Sequence, residues 1–213
     1  MSSALLVKAL QENKHNVKAV VGASAIGWYG ADPATHINGF EENDNAALDF
    51  LGSTCQQWEA SIEAVTTLNI RLVKLRTGIV LSPKGGALKE FLTPIKMGIA
   101  AILGNGKQMV SWIHIDDLCR QFIYAIENTN LQGSYNAVAP NPVTNKQLTL
   151  AIAKKARGKF FIPIHVPAFV LKIMLGEMSI EVLKSTTVSA KKIEAAGFKF
   201  SYPTIEPAMN DLL

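Results

Sequence analysis

Cys55 and Glu59, four residues apart on one candidate helix, are the pair whose types and spacing most directly suggest chemistry. A thiol has an ordinary pKa near ~8.5, below a phenol's ~10, so Cys55 can act as an acid without a neighbouring lysine. A carboxylate one turn away raises that thiol's pKa. The pair therefore favours a neutral thiol that donates a proton over a thiolate nucleophile. The plain alternative is that Cys55 fills space, as lone helical cysteines usually do. Glu59, next to Trp58, either positions a proton or cofactor or is an ordinary helix-face carboxylate. Arg76 is a candidate ion-pair partner for Glu59 or Glu63. His114, between a strand and a capped helix, is more often structural than a ligand residue in such a place.

The elements that must position these residues follow from periodicity. Leu5, Leu6, Ala9 and Leu10 mark one face of a helix over 2–14. Residues 17–22 read as an apolar strand that empties into the small residues Ala23, Ser24 and Gly27, then Trp28-Tyr29-Gly30. In an open α/β sheet, ligands sit beyond the carboxyl ends of the strands, and small residues there admit a flat ligand. After a polar stretch through Asn45, a helix spans about 46–68 and a second strand 71–76, continuing through Thr77-Gly78-Ile79 to Leu81. Strand–helix–strand order implies a right-handed crossover and a parallel pair. Ser82-Pro83-Lys84-Gly85-Gly86 then punctuates the chain.

A helix over 87–97 follows, and then the strands 99–103 and 109–113. Asn105-Gly106 between those strands signals a tight hairpin. Asp116 or Asp117 is expected to cap a helix running to Glu127. A strand over 133–139 and helices near 145–157, 167–175 and 179–196 complete the chain.

Composition narrows the classes. The 213 residues are 48% hydrophobic and 18% charged, with a formal net charge of +4, as in a globular chain. The densest basic cluster, Lys154, Lys155, Arg157 and Lys159, reads as a solvated helix end rather than a nucleic-acid site. Cys55 and Cys119 make neither a disulfide framework nor a metal-ligand spacing, which suits a reducing cytoplasm and no metal. No signal peptide is visible. The greasiest stretch, 166–175, is interrupted by Lys172 and falls short of the ~20 residues a spanning helix needs, so it reads as a core-facing helix. Neither nucleic acid nor membrane is an expected partner.

Four separated stretches carry a resemblance: Ser24-Ala25-Ile26-Gly27-Trp28-Tyr29-Gly30; Leu75-Arg76-Thr77-Gly78-Ile79-Val80-Leu81; Gly104-Asn105-Gly106-Lys107-Gln108 with Trp112-Ile113-His114-Ile115-Asp116-Asp117; and Ala139-Pro140-Asn141-Pro142-Val143-Thr144-Asn145 with Gly176-Glu177-Met178-Ser179 and Ala196 to Pro203. In this order they resemble the extended short-chain dehydrogenase/reductases. The nearest branch is that of the NAD-dependent epimerase/dehydratase-like epimerase family proteins, which carry a helical C-terminal extension.

The resemblance implies an α/β fold: the second half of a Rossmann-type parallel sheet, with a smaller, mainly helical lobe. It places 1–82 in the C-terminal half of the dinucleotide-binding domain, with 114–139 returning to it, and 83–213 on the substrate side. It implies NAD or NADP as cofactor, contacted by Ala23, Ser24, Thr77, Gly78 and Ile79. Gly27, Trp28, Tyr29, Trp58 and Trp112 would wall a small-molecule pocket, and Ser24, Cys55 and Glu59 would be catalytic.

The pattern also departs from the family's. A Ser or Thr expected four residues before Tyr29 is Ala25, with Ser24 one place off. Cys55-Gln56-Gln57-Trp58-Glu59 replaces Tyr-x-x-x-Lys, as in this branch generally. Val110 stands where nucleotide-sugar enzymes place an arginine that holds a diphosphate. No glycine-rich fingerprint for a pyrophosphate is present. The implied function is an oxidoreductase or isomerase with atypical acid–base residues, its amino-terminal half lying outside this sequence. The alternatives are a dinucleotide-binding or sensing protein without turnover, or an inactive fragment. The chain alone is expected to bind dinucleotide weakly or not at all, and to self-associate through the exposed strand at 17–22.

Overall fold

The computed structural model describes residues 2–33 and 39–213; positions 34–38 of the polar stretch lie outside the described residues. In chain order the elements are α1 (Ser2–Glu12), β1 (Ala19–Ala25), α2 (Phe50–Glu63), β2 (Arg71–Thr77), β3 (Ile79–Ser82), β4 (Gly85–Gly86), α3 (Ala87–Lys96), β5 (Ile99–Leu103), β6 (Met109–Val110), β7 (Trp112–His114), α4 (Ile115–Glu127), β8 (Gly133–Ala137), β9 (Val143–Thr144), α5 (Asn145–Arg157), β10 (Ile162–Val166), α6 (Ala168–Leu175), α7 (Ser179–Leu183), α8 (Lys191–Ala195) and α9 (Ile205–Leu212).

The expected parallel sheet forms, in the order β1-β2-β8. Side chains alternate between the faces of a strand, so its register sorts residues into two sets. On one face Val20 and Leu72 pack with Val7 and Leu10 of α1 and Ile62 of α2. On the other, Val21, Val73 and Leu75 pack with Leu118, Phe122 and Ala125 of α4. Helices thus cover both faces, and β1 is the open edge of this sheet.

The helix expected over 46–68 begins at Phe50, because the Asp49 carboxylate accepts the Gly52 N–H at 2.7 Å and sets the start. Its end loosens into a 3-10 turn over Ala64–Leu68, closed by Asn69 in the left-handed conformation. Gly52 is needed in this turn: a Cβ there would sit 2.2 Å from the Ala47 carbonyl oxygen.

Three local expectations are corrected. The Asn105-Gly106 turn forms, with Gly104 and Gly106 at positive φ, but no hairpin follows. β5 pairs instead with β10, β6 with β9, and β7 with β3. The Gly106 and Gln108 carbonyls accept the Lys146 and Asn145 amides, which directs the returning chain onto the start of α5. The cap of α4 is His114, whose Nδ1 accepts the Asp116 amide at 3.1 Å; Asp116 and Asp117 lie in the first turn. The helix expected over 179–196 is two short helices, α7 and α8. Between them Ser185 and Thr187 bond the Asp32 carboxylate, and the Ser185 hydroxyl accepts the Met109 amide. Side-chain bonding of this kind competes with helix.

Candidate functional site

Polar residues enter the main sheet at alternate positions on three strands. Ser24, Arg76 and Asn136 are in register across β1, β2 and β8, and one step back are Gly22, Lys74 and Ser134. All face α2, whose inner positions are Gly52, Cys55, Glu59 and Ile62. Glu59 is the centre of the group. Its Oε1 accepts the Ser24 hydroxyl and Arg76 Nε, each at 2.8 Å, and its Oε2 accepts Arg76 Nη2 and the Ser134 hydroxyl, each at 3.2 Å. Lys74 Nζ lies 3.6 Å from Oε2 and 2.6 Å from the Glu63 carboxylate. Arg76 had two candidate partners, and it pairs with Glu59.

The network continues on the far side of Arg76. Its guanidinium stacks 3.7 Å over the Trp28 ring, and Nη1 donates to the Tyr29 hydroxyl at 3.0 Å and the Glu42 carbonyl at 3.1 Å. Tyr29 donates to Asn136 Oδ1 at 2.6 Å and stacks on Phe40. Asn136 binds the Ser189 carbonyl through Nδ2, while its amide donates to the Glu42 carboxylate.

The electrostatics follow from burial and pairing. Burial opposes the charge on Glu59, but the Arg76 hydrogen bonds and charge, with Ser24 and Lys74, hold its carboxyl below the ordinary value. Burial likewise disfavours charged Arg76, and its bonds to Glu59 and Tyr29 overcome that and raise it. Burial pushes the Tyr29 phenol up to about 12, against the lowering pull of Arg76. It raises the Glu42 carboxyl too. The Cys55 thiol is raised by burial first and by the Glu59 charge among the lesser causes. A neutral thiol results, in the direction the i, i+4 spacing predicts.

The structure brings together Ser24 and Glu59, with Cys55 one turn away against the β1 exit. A Cβ at Gly27 would meet Cys55 Sγ at 3.6 Å and Leu51 Cβ at 3.3 Å. The Ser24 hydroxyl is buried and committed to Glu59, so it does not face an open crevice. Thr77 is in register with Ala25, one step from the Ser24 row, and so lies on the opposite face. The expectation that Ser24, Thr77, Gly78 and Ile79 line one crevice is corrected to this extent: Ala23 and Thr77 share a face of the sheet, Ser24 does not, and Ile79 begins β3 of another sheet. Ala23 and Ile79 are exposed. Gly78 serves chain packing, because a Cβ would fall 2.5 Å from the Ser111 carbonyl oxygen and 2.8 Å from Val138.

The expected aromatic walls separate. Trp112 is fully buried among Leu81, Leu88 and Leu148, with its indole N–H on the Asn141 carbonyl, and is core. Tyr29 is buried within the network. Trp58 is 44% exposed and lines a groove along the open β1 edge with Leu6, Val21, Gly22, Ala23 and Glu59. Trp28 stands half-buried over Arg76 at the β1 exit. Asn136, Ser134 and Glu42 were not anticipated; Ser134 and Asn136 are polar residues at alternate positions of β8, and Glu42 lies in a turn.

A nicotinamide dinucleotide meets mixed conditions here. Ala23 and Ile79 are exposed beside the strand ends, whereas no residues of the sequence form a glycine-rich cradle for the pyrophosphate.

A family model described as a domain of unknown function, DUF1731, matches residues 166–212. The chain is 34% identical over 206 residues to the epimerase family protein YfhF of Bacillus subtilis (strain 168), covering 97% of this chain and 66% of that protein. It is 32% identical over 212 residues to the epimerase family protein SH2119 of Staphylococcus haemolyticus, covering 100% of this chain and 70% of that one. The chain thus spans about two thirds of the length of these curated relatives. The crystal structure of human epimerase family protein SDR39U1 (isoform 2) with NADPH superposes with a TM-score of 0.88 at 27% identity, over 99% of this chain and 70% of that one. A UDP-glucose 4-epimerase of Thermus thermophilus in complex with NAD gives 0.76 at 18% identity, over 99% and 67%, a likeness of fold.

Proposed function

Since the chain belongs to the epimerase family proteins, we propose that it carries the nicotinamide-side and substrate-side residues of an NAD(P)-dependent oxidoreductase or isomerase acting on a small polar carbonyl or alcohol. The observation that carries this reading is the superposition of 99% of the chain on a relative solved with NADPH. On this reading residues 1–82 and 114–139 belong to the cofactor side, and 83–213 to the substrate side. Ala23, Thr77, Gly78 and Ile79 border the ring, and Gly27 and Trp28 the substrate. The cofactor, when bound, supplies the hydride acceptor or donor.

The chain's own part is proton handling, and the site limits which group does it. Glu59 is held ionised by Arg76 and is no acid near neutral pH. Tyr29 keeps its proton to about 12 and already donates its hydrogen bond to Asn136 Oδ1. Cys55 is a neutral thiol beside Gly27 at the β1 exit, and we assign the proton donation to it. Glu59 and Arg76 act as positioning residues, fixing α2 against the sheet and with it the thiol.

A second reading, dinucleotide binding without turnover, is favoured by one feature: Ser24, Glu59, Arg76, Tyr29 and Asn136 are linked in that order by hydrogen bonds, leaving little polar capacity for a substrate. Titrating the chain with NADPH and NADH by tryptophan fluorescence tests the cofactor part. Weak saturable quenching, far above micromolar, is expected in the absence of a pyrophosphate cradle; micromolar affinity for a monomer contradicts that expectation. Exchange of label between reduced cofactor and a panel of carbonyl compounds, abolished in Cys55→Ala, separates turnover from binding alone.

A further inference from the structure

Two exposed features meet in the part of the chain after residue 90, and the function proposed above uses neither. One is apolar. The parallel register of β10 with β5 sets Ile162, Ile164 and Val166 beside Ile99, Ala101 and Leu103 on one face of a two-stranded sheet. β10 is exposed through Ile162–His165. The next helix, α6, presents Phe169 and Ile173 one turn apart, with Met174 and Met178 following; Ile173 is 81% exposed. Scattered apolar residues on a surface need no explanation, but a collection this large marks an interaction site.

The other feature is charge. No acidic residue occurs between Glu90 and Asp116 or between Glu127 and Glu177, and eight basic residues do. The remainder of the chain carries thirteen basic and seventeen acidic residues. The mild +4 therefore conceals an uneven sequence, with +8 on these two stretches and −4 elsewhere; exposed Glu177, beside Met178, is the acid at the border of the apolar surface. Arg157 donates to the carbonyls of Lys96 and Phe160, which ties the end of α3, the end of α5 and the approach to β10 into one rim. Exposed Lys96, Lys159 and Phe160 lie on that rim, and exposed Lys172 lies on α6 among the apolar side chains.

These features choose among occupants. A second copy docking on this face brings two strongly positive surfaces together, which is unfavourable. A nucleic acid answers the charge but leaves Ile173, Met174 and Met178 in water. No described helix is long and apolar enough to cross a membrane, and α6 has eight residues, so the surface can only lie on a bilayer. Lysines with long stems among Phe, Ile and Met side chains suit the headgroup boundary of an anionic leaflet. We propose that β10 and α6, rimmed by Lys96, Arg157, Lys159 and Lys172, dock this protein on an anionic phospholipid surface. The core-facing helix expected over 166–175 is corrected here: α6 buries only Leu171 and leaves Phe169, Ile173 and Met174 exposed.

Co-sedimentation of the purified chain with phosphatidylcholine vesicles, with and without about one third phosphatidylglycerol, tests this. Binding is expected only with the anionic lipid, and it should fall steeply between ~0.1 and ~0.5 M salt. Lys172→Gln should weaken it about five-fold, the value of one basic side chain near such a surface. Ile173→Glu with Met174→Glu should reduce it more than ten-fold with an unchanged melting temperature, as all the altered side chains are exposed. Leu48→Glu, at a 99% exposed residue outside the surface, should retain most of the binding. Equal sedimentation with neutral vesicles, no sedimentation, or a vesicle-free dimer dispersed by Ile173→Glu overturns the proposal. So does binding to a single-stranded RNA that Lys172→Gln weakens and Ile173→Glu with Met174→Glu does not.

Discussion

Glu59 and Arg76 meet as a two-point ion pair beneath the carboxyl ends of β1 and β2, with Oε1 2.8 Å from Nε and Oε2 3.2 Å from Nη2. Both side chains are at most 5% exposed. A buried pair of this kind contributes little over an apolar substitute, yet breaking it strands a charge. Glu59→Gln or Arg76→Gln alone should therefore cost about 3–5 kcal/mol. The double variant Glu59→Leu/Arg76→Met should recover much of that loss. Urea unfolding of the four proteins measures it, and additive losses in the double variant would contradict the pairing.

Acid stability follows from the same carboxylate. The folded state holds Glu59 below its ordinary pKa, so its contribution is present above the unfolded value and is lost as pH falls through the folded one. The wild-type urea midpoint should drop more between pH 6 and pH 3 than that of Glu59→Gln. Parallel profiles would remove Glu59 from the account of acid unfolding.

At alkaline pH the controlling group is Tyr29. Its phenol is raised to about 12, so the folded state favours the neutral form. The stability this contributes is present below the ordinary value near 10 and lost as pH rises from there through about 12. Absorbance at 295 nm should show one phenol ionising late, a step missing in Tyr29→Phe.

Thiol chemistry separates the two cysteines. Cys119 is exposed and Cys55 is buried with a raised pKa. Ellman's reagent at pH 8 should label Cys119 rapidly and Cys55 only on unfolding, because the thiolate is the reactive form. Rapid labelling of Cys55 in a Cys119→Ser background would show a thiolate at the site and reverse the acid role proposed for it.

Strands and crossover were legible in the sequence because runs such as Arg71–Thr77 hold their apolar residues between strong turn signals. The polar row was not. Ser24, Arg76 and Asn136 are far apart in sequence, and only the register of three parallel strands sets them side by side. Cys55 and Glu59 were visible because helical spacing is local, yet whether Arg76 would pair with Glu59 or with Glu63 depended on the strand beneath. The Asn105-Gly106 turn was legible for the same local reason, and the missing hairpin was not, because the partner of β6 is β9. Trp112 misled because an aromatic in a strand reads alike whether it walls a pocket or fills a core.

The central claim is that a nicotinamide dinucleotide lies at the ends of β1 and β2, against Ala23 and the Thr77–Ile79 turn. Amide chemical-shift changes on adding millimolar NADPH to the isotope-labelled chain test it most directly, since weak binding suffices for that readout. The largest shifts are predicted at Ala23–Gly27 and Thr77–Ile79, with β10 and α6 unmoved. Saturable shifts confined to other residues, or none at millimolar NADPH, would contradict it.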